Sequence, residues 1–84
     1  MNNKLMVFVE IPILEEELNI LIPLNKKIGN IITELVKYIN ANLANGELQG
    51  DNFSLFDKDT GKMISNNIYA KNSNLYNGQV LILM

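Results

Sequence analysis

One stretch limits the architecture more than any other. Placed on a helix of about 3.6 residues per turn, Lys26 to Leu43 puts Ile28, Ile32, Leu35 and Ile39 along a single stripe. Ile31, Val36 and Leu43 flank that stripe, and Asn30, Thr33, Glu34, Lys37, Asn40 and Ala41 lie opposite. This is an amphipathic helix with one apolar face to bury. The rest of the chain reads as short strands and turns, so the helix must lie across one small sheet. The predicted class is α+β.

The two ends of the chain predict how that sheet is ordered. Lys4 to Ile11 is apolar at nearly every position, with Leu5, Val7, Val9 and Ile11 on one face and Met6, Phe8 and Glu10 on the other. Val80 to Met84 is apolar throughout. Strands apolar on both faces belong in the middle of a sheet. Pro12 removes a ladder donor and should end the first strand. Leu14 to Glu17 is expected to be a hairpin turn carrying solvated glutamates. Leu18 to Ile22 is the second strand, with Leu18, Ile20 and Ile22 pointing one way, Asn19 and Leu21 the other, and Pro23 closing it. Asn25 is the expected N-cap of the helix. Lys26 and Lys27 fall in its first turn, where the macrodipole disfavours cations. They read as tolerated surface charge or as a basic spot for an acidic partner.

Past the helix, Asn45-Gly46 is a natural stop, because both residues accept left-handed backbone. Glu47 to Asn52 reads as loop, Phe53 to Phe56 as the third strand and Met63-Ile64 as the fourth. Asp57-Lys58-Asp59-Thr60-Gly61 between them carries two weak motifs. Spaced Asp residues before a Gly resemble the opening of a calcium loop, but the closing Glu is missing. Asp-Thr-Gly spells an aspartic-protease triplet, but that chemistry needs a second carboxylate in a two-lobed fold. A turn closed by Gly61 accounts for the stretch. Ser65 to Asn77 has no sustained period, and Ile68, Tyr69, Leu75 and Tyr76 are expected to plug the open end of the core. Gly78 should take positive φ before the last strand.

Composition narrows the function by exclusion. The 84 residues make one domain, residues 1–84. The chain has no Cys and no His, and its 7 basic residues are all Lys. Zinc, haem and iron–sulfur sites are therefore not expected, nor is a His-based acid–base mechanism. No catalytic, cofactor-binding or metal-binding residue is assigned, and the chain is expected not to be an enzyme. A pI near 4.9 argues against a nucleic-acid partner. The apolar run Leu5 to Val9 is too short for a signal peptide or a membrane span, so no direct membrane insertion is expected and the location reads as cytoplasmic.

Economical packing sets the first and last strands side by side and parallel in mid-sheet, with hairpins outside them and the helix across one face. This is a β-grasp: a mixed sheet of four to five strands with central, parallel terminal strands. The segments KLMVFVEIPI, ELNILIP, NKKIGNIITELV, FSLF and LYNGQVLILM follow the ubiquitin layout along almost the whole chain. The chain resembles most closely the small ubiquitin-like proteins of the YukD/EsaB family, accessory components of type VII (WXG100) secretion in bacteria. The resemblance implies a protein-interaction role and, as partner, a membrane-anchored secretion ATPase complex or its cytoplasmic components. Ubiquitin-type conjugation needs a flexible Gly-Gly carboxylate. The chain stops at Leu83-Met84 inside a strand, so conjugation is not expected.

Binding remains. With the helix over Leu5, Val7 and Val9, the residues Met6, Phe8, Val80, Ile82 and Met84 should share the opposite face of the sheet, joined by Phe56. Several large apolar side chains on one face of a small monomer form an expected partner-binding surface, unless residues 66–77 cover it. A weak homodimer through that face is a further expectation. The alternative function is a regulatory or structural β-grasp subunit of a multicomponent enzyme.

Overall fold

The computed structural model describes residues 3–43, 48 and 53–84. Strands β1 (Lys4–Ile11) and β2 (Glu16–Pro23) form a hairpin, and helix α1 (Ile28–Asn42) follows. Strands β3 (Leu55–Asp57), β4 (Met63–Ile64) and β5 (Val80–Leu83) complete one sheet in the order β2-β1-β5-β3-β4. β1 and β5 are parallel, with Phe8 opposite Val80 and Val9 opposite Leu81; the other pairings are antiparallel. The two terminal strands thus sit next to each other inside the sheet, as their two-faced apolar pattern requires.

The core lies between α1 and one sheet face. Val7, Val9 and Ile11 of β1 are fully buried, with Leu81 and Leu83 of β5, Leu55 of β3 and Ile22 of β2. The helix contributes Ile28, Ile31, Ile32, Leu35, Val36 and Ile39, six of the seven residues placed on its apolar face. Leu43, the seventh, is 39% exposed, because the helix ends before it. Leu48, read as loop, is buried. Asn40 explains this: its side-chain amide donates to the Leu48 carbonyl at 2.7 Å and its Oδ1 accepts the Leu48 N–H at 2.9 Å.

Several boundaries differ from expectation. The β1–β2 connection is a one-turn 3-10 helix, Pro12–Leu14, followed by Glu15 in left-handed backbone (φ 53°), and β2 already starts at Glu16. The N-cap of α1 is Lys27, without a side-chain cap, and not Asn25. Residues 66–68 replace the cap: the Ile28 and Gly29 N–H groups donate to the Ile68 and Asn66 carbonyls at 2.9 and 3.0 Å. Gly29 allows this approach, since a Cβ there would stand 3.2 Å from the Asn66 oxygen. The third strand is Leu55–Asp57, shifted from the expected Phe53 to Phe56. Ile68 and Leu75 pack on the core as expected, whereas Tyr69 and Tyr76 are exposed. The expected helix stop at Asn45-Gly46 lies outside the described residues.

Candidate functional site

The register assigns every strand residue to a face. Phe8, Asn19 and Val80 share one row on the face away from the helix. Glu10, Glu17, Ile82, Phe56 and Met63 share the next. Leu21 lies beside Met6, and Met84 exchanges backbone hydrogen bonds with Ser54 at 3.0 and 3.1 Å. All six residues expected on the outer face, Met6, Phe8, Phe56, Val80, Ile82 and Met84, are therefore together on it. Met6 and Met84 are exposed, and the other four are half-buried by their strand neighbours.

Residues 66–77 do not cover this face. That segment packs at the start of α1, where Lys27 bridges to Tyr69 and the Ala70 N–H donates to the Lys26 carbonyl. Its far end ties β5 to β1: Asn77 Oδ1 accepts the Met6 N–H at 3.1 Å, and the Gly78 N–H donates to the Met6 carbonyl at 2.8 Å. Gly78 has φ 83°, the positive value expected there.

Two apolar residues belong to the face beyond those six: Leu21, 60% exposed, and Met63, 58% exposed. Alternation in the sequence already turned Leu21 outward. Met63 depends on the β3–β4 register, for which two residues of strand supply no pattern. The structure also corrects the picture of one unbroken patch. Lys58, whose N–H donates to the Val80 carbonyl, reaches across β5 to Glu10, with Nζ 2.7 Å from Oε2. The pair crosses between Val80 and Ile82. Leu21, Met6, Phe8 and Val80 form one apolar lobe; Ile82, Phe56, Met63 and Met84 form the other. The hydrogen bond to Glu10 and its negative charge raise the Lys58 amine above the ordinary lysine value.

The remaining motifs resolve into local structure. Asp57 Oδ1 accepts the Asp59 N–H at 2.9 Å, the Gly61 N–H donates to the Asp57 carbonyl at 2.8 Å, and Gly61 has φ 74°. This is the turn that joins β3 to β4. Among the described residues no three Asp, Glu, His or Cys side chains converge on a metal-sized site. Lys26 pairs with Glu34 at 3.0 Å, and the Lys27 ammonium lies 5.9 Å from the Tyr69 ring centroid. Both lysines of the expected basic spot are engaged within the chain. No helix of the described residues is long and apolar enough to cross a membrane.

No family model and no curated protein sequence matches the chain. Solved structures do. The EccD5 ubiquitin-like domain from Mycobacterium xenopi aligns with a TM-score of 0.78 at 18% identity, over 99% of this chain and 94% of that one. The fold is the ubiquitin-like β-grasp. A chain of the MycP5-free ESX-5 inner membrane complex matches with a TM-score of 0.76 at 17% identity, over 99% of this chain and 21% of that one. This chain thus spans about a fifth of that component. A toluene 4-monooxygenase complex holds a chain with a TM-score of 0.75 at 8% identity, over 95% of each. Identities this low establish the ubiquitin-like fold and leave the role to the residues on its surface.

Proposed function

We propose that the chain is a non-enzymatic ubiquitin-like interaction module, a cytoplasmic accessory component of a type VII secretion system that docks non-covalently and is not a conjugated modifier. One observation carries the reading: two apolar lobes on the outer sheet face, exposed at Met6, Leu21, Met63 and Met84, with the Glu10–Lys58 pair between them. Large apolar residues concentrated on one face of a small monomer mark an interaction surface. Methionines at Met6, Met63 and Met84 let that surface adapt to its partner. The ion pair favours a partner that offers apolar side chains on both sides of a polar group. The resemblance to the YukD/EsaB family supplies the secretion machinery as partner class, and the likeness to the EccD5 domain and the ESX-5 chain supports it.

A second reading, a subunit of a multicomponent enzyme, draws on the likeness to a chain of the monooxygenase complex. Affinity purification from the native cell separates the two. The secretion reading predicts co-purification of a secretion ATPase and its cytoplasmic partners; recovery of an oxidase or oxygenase core supports the second reading instead. Phe8→Ala combined with Ile82→Lys alters both lobes and should abolish capture of the partner while far-UV circular dichroism stays unchanged. Undiminished capture by the folded double variant would remove this face from the account.

A further inference from the structure

Strand β2 is the long free edge of the sheet, with β1 on one side and, among the described residues, no strand on the other. The direction of its backbone groups follows from one bond. The Leu24 N–H donates to the Asn3 carbonyl at 2.8 Å. Antiparallel ladders alternate, so Ile22, Ile20, Leu18 and Glu16 turn their backbone groups toward β1. Glu17, Asn19 and Leu21 turn theirs outward. Such a row is a template for another strand.

Register, charge and shape together specify which strand. The outward row ends at equal distances on both sides of Asn19: Glu15 is left-handed, and Pro23 has no N–H. An antiparallel copy with its own Asn19 opposite Asn19 uses every outward group. Asn19 pairs with Asn19 and Glu17 with Leu21 in both directions, and the ladder-ending residues fall opposite each other. Charge agrees with this register. Glu15, Glu16 and Glu17 crowd one end of β2. A two-fold axis sets the glutamate clusters of the two copies at opposite ends of the interface, whereas a parallel copy stacks glutamate on glutamate. Between β2 and α1 runs a groove of about 400 Å³ lined by Leu18, Ile20, Ile31, Leu35 and Tyr38. Leu18 and Ile20 become cross-strand neighbours of each other's counterparts, so the two grooves merge over an apolar floor, with the exposed Tyr38 at each rim.

The geometry points to a symmetric homodimer in which β2 adds antiparallel to β2 of a second copy about a two-fold axis at Asn19, making one continuous sheet and leaving the outer-face lobes open to another partner. The interface is isologous, as cyclic dimers require. It is independent of the docking face, and the two are separately testable.

Sedimentation equilibrium on the full chain should show a concentration-dependent dimer. Asn19→Pro removes an outward N–H and leaves the β1–β2 bonds intact. It should weaken the dimer about tenfold or more, since both Asn19–Asn19 bonds are lost. The chain has no cysteine, so Asn19→Cys introduces a single thiol at the axis. Under mild oxidation it should form linked dimers faster than Val80→Cys on the outer face. A monomer at all concentrations would overturn the proposal. So would a dimer that folded Asn19→Pro leaves unchanged, or faster linkage through Val80→Cys. Should Asn19→Pro fail to fold, the thiol pair decides alone: Asn19→Cys linking no faster than Val80→Cys overturns the proposal.

Discussion

Asn40→Ala tests whether a polar residue on the solvent side of the helix anchors part of the core. The Asn40 side chain makes two hydrogen bonds to one residue, accepting from the Leu48 N–H and donating to its carbonyl. Each is worth about 0.5–1.5 kcal/mol net, so their loss alone costs about 1–3 kcal/mol. Leu48 is 8% exposed and packs in the core cluster. If it also loosens, part of a further ~2 kcal/mol of apolar burial is at risk. Urea denaturation is the assay. With a slope of about 1 kcal/mol per molar for a small domain, the midpoint should fall by roughly 1–3 M. A double-mutant cycle with Leu48→Ala isolates the mechanism. Leu48→Ala alone should cost about 2–5 kcal/mol, and clearly less in the Asn40→Ala background. Strict additivity, or a midpoint unmoved by Asn40→Ala, would refute the anchoring role.

Other perturbations follow from the same geometry. Leu35→Ala, at the centre of the buried helix face, should cost about 2–5 kcal/mol, close to the whole stability of a small domain; a loss below about 0.5 kcal/mol in a urea melt would mean the face is wrongly assigned. Gly78→Ala should cost about 1–2 kcal/mol, because its φ of 83° is left-handed, measured as a fall in melting temperature. The raised Lys58 pKa makes the Glu10 pair stabilising below the ordinary lysine value, and that contribution is lost as pH rises through the raised one. On the alkaline side, the stability difference between the wild type and Lys58→Met should therefore shrink to nothing as the amine deprotonates; a difference that persists there would show that packing by the lysine stem, and not its charge, is what matters.

The residues that announced themselves in the sequence were those whose burial follows a local period. Ile28, Ile32, Leu35 and Ile39 repeat with the helix, and β1 and β5 are apolar on both faces, so the helix-on-sheet order and the outer positions of Met6, Phe8, Val80 and Ile82 were readable. What stayed hidden depends on contacts between distant segments. Asn40 looked like solvent-facing polarity until its side chain met Leu48. Lys58 and Glu10 are 48 residues apart, and only the β1–β5–β3 order brings them together across the apolar face. The missing N-cap side chain was likewise invisible, because carbonyls of Asn66 and Ile68 satisfy the helix start from a segment with no period of its own. Tyr69 and Tyr76, expected to plug the open end of the core, stay outside it. Tyr69 stands between Lys27 and Lys71, each ammonium 5.9 Å from its ring centroid, within the range of cation–π attraction.

The account rests on the parallel pairing of the terminal strands, which turns one row of apolar side chains inward and the other toward a partner. Amide exchange and backbone NOE spectroscopy on the free protein in dilute solution test it most directly. The Phe8 N–H, bonded to the Gln79 carbonyl at 2.9 Å, should exchange as slowly as any amide in the chain and show cross-strand contacts with Val80, while the outward Asn19 and Leu21 amides exchange fast. Rapid exchange at Phe8, with no contacts between the first and last strands, would contradict both the fold and the docking face built on it.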